Sequence, residues 1–110
     1  MKTPLKISKL QDFTKGWFIG NFSPTLLKTE QFEVAVKKYE AGEKESSHYH
    51  KIATEYTLIV SGIAKMNGEH ISENDIVTVM PDEEIEFEAV TDVVTVVIKT
   101  PSVTGDKFSN

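Results

Sequence analysis

The chain has 110 residues, 39% hydrophobic and 26% charged, with seventeen acidic against twelve basic side chains for a formal net charge of −5. That length fits one domain with a single apolar core, and the negative balance, with no basic run longer than Lys37-Lys38, disfavours a nucleic-acid partner. Cysteine is absent, which excludes disulfides and thiolate metal sites.

Residues 1–13 are interrupted by Lys2, Lys6 and Lys9 and lack the continuous apolar core of a signal peptide. No stretch approaches the roughly twenty apolar residues that cross a bilayer as a helix. The expectation is a soluble, cytoplasmic protein with no membrane partner.

In chain order the sequence reads as short strands and turns with hardly any helix. Residues 1–29 are expected to form an arm with edge strands, in which Trp17, Phe18 and Ile19 make a short strand between Gly16 and Gly20. Residues 21–29, with Ser23-Pro24, read as a loop. Over 32–39, Phe32, Val34 and Val36 alternate with Glu33, Lys37 and Tyr39, the pattern of a half-buried strand. Ala41-Gly42-Glu43 turns the chain. Residues 54–60 are β-branched and aromatic, another strand, ending at Ser61-Gly62.

Asn67-Gly68, with Ile63 to Met66 before it and Glu69 to Ile71 after it, is the strongest hairpin signal, since both residues tolerate positive φ. A turn at Glu73-Asn74-Asp75, a strand over 76–80 and a turn at Pro81-Asp82-Glu83 follow. Ile85, Phe87 and Ala89 then alternate with Glu84, Glu86 and Glu88, giving one apolar and one acidic face. Residues 93–99 are nearly all β-branched, as expected of a central strand buried on both faces. The tail, 101–110, is polar enough to be a lid, a wrap or disordered. Many short strands with turn signals between them imply an all-β sandwich or barrel.

The candidate chemistry sits at His48-Tyr49-His50. In an extended segment, side chains two apart share a face, so His48 and His50 project together and Tyr49 points away. Glu55 follows five residues later and adds a carboxylate. Two neutral imidazoles and one carboxylate, bound at about 2.0–2.2 Å if the ion is zinc, leave coordination positions open to water or substrate, and such a donor set suits Fe, Mn, Ni, Zn or Co. Thr57 is expected to share the face of Glu55, and Tyr56 to face away. His70, beside the Asn67-Gly68 turn, reads as exposed.

The spacing Gly42, five residues, His48, one residue, His50, four residues, Glu55, six residues, Gly62 resembles the first motif of the cupin superfamily at every defining position, over twenty-one residues. With the flanking strands, the resemblance covers roughly residues 30–100. It implies a small, single-domain double-stranded β-helix, a cupin-like jelly-roll barrel of the RmlC-like kind, whose motif residues line the mouth. The second motif is degenerate. Asn74-Asp75 resembles its glycine-aspartate turn, but Glu83 stands where the family carries glycine and Glu86 where it carries a histidine. Glu86 therefore either points inward as a fourth ligand and a weak candidate catalytic group, or points to solvent with Glu84 and Glu88. Period-two alternation forbids Glu86 and its neighbours Ile85 and Phe87 from all pointing inward.

Three function classes follow. The first is a metal-binding cupin acting on a small polar molecule, with oxygenase-, isomerase- or lyase-like chemistry. The second is a non-enzymatic ligand-binding or sensing barrel, and the third a metal-free nucleotide-sugar isomerase or epimerase using a histidine base. The cluster Asp82, Glu83, Glu84, Glu86 and Glu88 would discourage anionic substrates if it lined the entrance. The family resemblance and the apolar strand at Trp17 imply a homodimer.

Overall fold

The computed structural model describes residues 3–110; Met1 and Lys2 of the expected arm lie outside the described residues. Nine strands follow two single turns of 3₁₀ helix, Leu10–Asp12 and Thr14–Gly16. They are β1 (Trp17–Ile19), β2 (Glu33–Tyr39), β3 (Lys44–His48), β4 (Thr54–Ser61), β5 (Ala64–Met66), β6 (Glu69–Ile71), β7 (Ile76–Val79), β8 (Ile85–Ala89) and β9 (Val93–Thr100). Five of them form one sheet in the order β1-β2-β9-β4-β7, and four form the other in the order β3-β8-β5-β6. Every pairing is antiparallel. The result is an all-β jelly roll of the double-stranded β-helix type.

Turn chemistry fixes the corners. Asn67 and Gly68 have φ of 51° and 81° and close a two-residue hairpin in which Met66 pairs with Glu69. Gly62, at φ 92°, could not be replaced, because a Cβ there would sit 2.1 Å from the Asp92 carbonyl oxygen. At the degenerate turn after Pro81 the positive φ falls on Asp82, at 69°, rather than on Glu83. The Asp82 N–H donates to the His50 carbonyl at 2.7 Å, so this turn buttresses the histidine segment.

The core lies between the two sheets, built from Ile59, Ala64, Met66, Val79, Ile85, Phe87, Ala89 and Val93, with Tyr39, Ile71 and Val77 packed against it. Its chemistry changes along the strands. On β4 the inward positions run Ile59, Thr57, Glu55, and on β9 they run Val93, Thr95, Val97, Lys99. One end of the sandwich is thus dry and the other polar. Register aligns the polar end in a row: Glu33 pairs with Lys99, Lys99 with Glu55, and Glu55 with Val79. Directly opposed residues share a face, so this row points inward together.

Two strand readings change. On β2 the inward side carries Ala35, Lys37 and Tyr39, two of which border the internal cavity, while Val34 and Val36 face outward. Periodicity marks two faces without saying which one meets the other sheet, and here the more polar one does. β9 is central but is not buried on both faces: on its outer side Val94 and Val96 are only partly buried and Ile98 remains 39% exposed. The tail is a wrap. Ser102 accepts from the Asn21 N–H and donates to Glu33, and Tyr49 and Phe108 form a β-bridge with their rings stacked. No helix among the described residues is long and apolar enough to cross a membrane.

Candidate functional site

β3 delivers His48 and β4 delivers Glu55, and the five residues 49–53 make the crossing between the two sheets. Burial follows the alternation read from the sequence: His48 is 7% exposed, His50 3% and Glu55 9%, while Tyr49 is half-buried and Tyr56 is 40% exposed on the outer face. A cavity of about 240 Å³ opens at this end, bordered by His48, Glu55 and Thr57 and floored by Met66, Ile85 and Phe87. His50 does not border it; its ring meets that of His48 edge-on, with centroids 5.5 Å apart.

The two imidazoles are prepared differently. Nδ1 of His48 lies 3.0 Å from the Ser46 carbonyl, so Nδ1 donates to it, and in the neutral ring this tautomer leaves the lone pair on Nε2. Nε2 of His50 is buried with no hydrogen-bond partner among the described residues. Burial, reinforced by Lys99 and His48, lowers the His50 pKa to about 4, so the ring is neutral at physiological pH. Glu55 moves the other way: burial raises its pKa, against the pull of Lys99 and His48 and the Thr57 hydroxyl, which lies 3.4 Å from Oε2.

The loop between His50 and Glu55 is held by a residue that sequence reasoning did not single out. Asp106, 7% exposed, accepts from three consecutive backbone N–H groups, those of Lys51, Ile52 and Ala53, at 2.9–3.2 Å. Burial by itself would raise its pKa, but these backbone donors together outweigh it and leave the carboxyl below its usual range. An aspartate after a glycine in a polar tail carries no local sign of this role; only the wrap of the tail creates it.

Of the predicted site residues, the structure brings His48, His50 and Glu55 to one end of the barrel and leaves Glu86 apart. Glu86 is exposed on the outer face of β8, with Ile85 and Phe87 turned inward, and its N–H donates to the Asn67 side chain. The fourth-ligand and catalytic readings of Glu86 are therefore corrected. Glu84 and Glu88 share that outer face, so this acidic run does not line the cavity. His70 is exposed, as expected.

No protein-family model matches the chain, and no curated protein matches it. Solved structures do. An uncharacterised conserved protein with a double-stranded β-helix domain from Klebsiella pneumoniae superposes with a TM-score of 0.67 at 22% identity, over 73% of this chain and 70% of that one. A cupin-2 domain containing protein from Shewanella frigidimarina gives 0.56 at 13% identity, over 66% and 72%. The fold is the cupin fold. An oxalate decarboxylase from Bacillus subtilis is similar over 74% of this chain, but over only 24% of its own, at 14% identity and a TM-score of 0.66.

Within the cupin barrel the mouth is more basic than the sequence implied. Lys15, Lys37, Lys99 and Lys107 all border the cavity, with Trp17 among them. Lys37 and Lys99 lie over the Trp17 ring, their Nζ atoms 5.4 and 5.0 Å from its centre. Burial lowers the Lys37 pKa, opposed by Glu45 and assisted by Lys15, Lys99 and Lys107. The four lysines come from distant parts of the chain, so no window of sequence could reveal the cluster.

Among the described residues, no three His, Cys, Asp or Glu side chains are already gathered tightly enough to hold a metal ion. The donor chemistry nevertheless fits one. His48 presents a free lone pair, His50 has a sealed nitrogen without a partner, and Glu55 is a buried carboxylate, all at the same end of the barrel.

Proposed function

We propose that this is a metal-binding cupin-like protein that binds or acts on a small polar organic molecule in its cavity, with His48, His50 and Glu55 holding a divalent ion. The observation that carries the reading is the orphaned Nε2 of His50. A buried polar atom without a partner costs on the order of 1–3 kcal/mol, and, with the ring proton on Nδ1, an ion at Nε2 supplies that partner together with attraction for the Glu55 carboxylate. Fe, Mn, Ni, Zn or Co would each suit two imidazoles and a carboxylate. When bound, such an ion supplies Lewis-acid chemistry at its open positions.

The chain's own groups do the positioning. The Ser46 carbonyl fixes the His48 ring, Thr57 sits beside the Glu55 carboxylate, and Asp106 holds the loop between His50 and Glu55. Met66, Ile85 and Phe87 make the inner wall apolar, which keeps water from the floor of the cavity.

A second reading, a metal-free binding barrel, is favoured by the donors' not being gathered and by Lys99 standing across from Glu55. Elemental analysis of the purified protein separates the two. The metal reading predicts near-stoichiometric ion in the wild type after incubation with Fe(II), Mn(II), Ni(II) or Zn(II), lost in His50→Ala. No retained metal with any of them means the metal-free barrel. The nucleotide-sugar reading loses ground, since about 240 Å³ is below the roughly 300–1,000 Å³ of sites for drug-sized ligands.

A homodimer remains the expected assembly, and we place its interface on the outer face of the five-stranded sheet. Tyr56, Val60, Ile76 and Ile98 are 40%, 46%, 64% and 39% exposed there, a contiguous apolar surface that a second copy would remove from water. Light scattering at micromolar concentration is expected to give twice the chain mass, falling to the chain mass in Ile76→Lys; a wild-type monomer contradicts the dimer.

A further inference from the structure

The lysines at the cavity stand out against the rest of the molecule. The chain carries five more acidic than basic groups, yet four lysines border this one cavity against two carboxylates, Glu45 and Glu55. Among the described residues none of the four is in an ion pair. The one salt bridge among the described residues joins Lys44 to Glu88 on the other sheet. The nearby carboxylates are engaged elsewhere: Glu45 accepts from the Tyr39 hydroxyl at 2.9 Å, Glu33 accepts from Ser102 at 2.9 Å, and Glu55 lies 3.4 Å from the Thr57 hydroxyl.

Like charges gathered at a partly desolvated mouth repel one another, and an anion between them reverses the sign of that interaction. Trp17 holds two of these ammonium groups over its ring and so fixes where an anion would sit. The cavity is small, and its inner wall is apolar beyond the polar rim. We propose that the cavity takes a small organic carboxylate, its anionic group held by Lys37 and Lys99 beside Trp17, with Lys15 and Lys107 drawing it to the mouth and its uncharged part reaching toward His48 and Glu55. A monocarboxylate fits better than a phosphate, because the carboxylate of Glu55 at the inner end disfavours a dianion. This names the substrate class of the site proposed above and rests on that reading only in taking the same cavity as the functional one.

Trp17 is the sole tryptophan, so its fluorescence reports on the mouth directly. The test titrates metal-stripped and zinc-supplemented protein with acetate, pyruvate, malonamate and gluconate at constant ionic strength, beside malonamide as the neutral control and inorganic phosphate as the competing anion. The expected result is saturable quenching or enhancement by at least one carboxylate and none by malonamide. Affinity should fall at least about tenfold in the Lys37→Gln/Lys99→Gln double variant. A Lys65→Gln variant, altered on the other sheet, should match the wild type. Response to none of the four acids, response to phosphate alone, or unchanged affinity in the double variant overturns the proposal. Because metal content is measured on the same samples, stoichiometric zinc with no carboxylate response defeats this inference and leaves the metal reading standing. Carboxylate binding by a protein that never retains metal does the reverse.

Discussion

Replacing Asp106 with alanine is expected to destabilise the fold by about 3 kcal/mol, read from urea unfolding as a lower midpoint at unchanged slope. One carboxylate accepts the N–H groups of Lys51, Ile52 and Ala53. Hydrogen bonds to a charged acceptor are each worth more than neutral ones, and removal leaves donors facing a buried space. Asp106→Asn keeps an acceptor without the charge and should lose roughly half as much. The functional consequence follows from position. The same loop carries His50 into Glu55, and the same tail brings Lys107 to the cavity and stacks Phe108 on Tyr49. Asp106→Ala should therefore also weaken ion binding at the histidines. A loss of stability below about 0.5 kcal/mol, the scatter of ordinary surface substitutions, would show that the tail does not hold the loop.

The second large effect is a pH dependence located at His50. Its folded pKa, about 4, lies below the ordinary value of 6.5, so between those values the unfolded chain binds a proton that the folded one refuses. Stability of the metal-stripped protein then falls as pH drops from 6.5 toward 4, with His50 contributing at most about 1.4 kcal/mol per pH unit. Glu55 acts with the opposite sign: its raised pKa makes the folded state take up a proton earlier, so stability is gained as the pH falls toward the ordinary value of 4.5. Asp106, held low, loses its contribution only as the pH falls below the ordinary aspartate value. The His50 part is isolated as the difference between wild type and His50→Gln, since both retain Glu55 and Asp106. That difference should be flat above pH 7 and slope below 6.5. Parallel curves from pH 7 to 4 would mean that His50 is not sealed as described.

Much of the barrel was legible because its signals are local. Asn67-Gly68 dictates a hairpin through positive φ, Ile85, Phe87 and Ala89 mark an inward face through a period of two, and His48, His50 and Glu55 fall inward for the same reason. The alternation that opposes Glu86 to Ile85 and Phe87 also settled which way Glu86 points once the apolar pair was seen to fill the core. What local reading missed depends on contacts far apart in sequence. Lys37 appeared in the longest basic run and on the polar side of a half-buried strand, and Lys99 as the end of an apolar strand; register places them on the inner face of the same sheet. Asp106 looked like any tail residue until the wrap put it beside Ala53. The short strand β3 has a polar sequence, Lys-Glu-Ser-Ser-His, and owes its extended form to pairing with β8.

The central claim, that His48 and His50 together hold a divalent ion, is tested most directly by following the imidazole nitrogens of the three histidines by NMR during a zinc titration. His70, exposed on β6, serves as the internal control. The Nε2 signals of His48 and His50 are expected to move together and saturate at one equivalent, while His70 does not respond. Resonances of His48 and His50 that stay in place while His70 shifts, or that do not change at all, would contradict it.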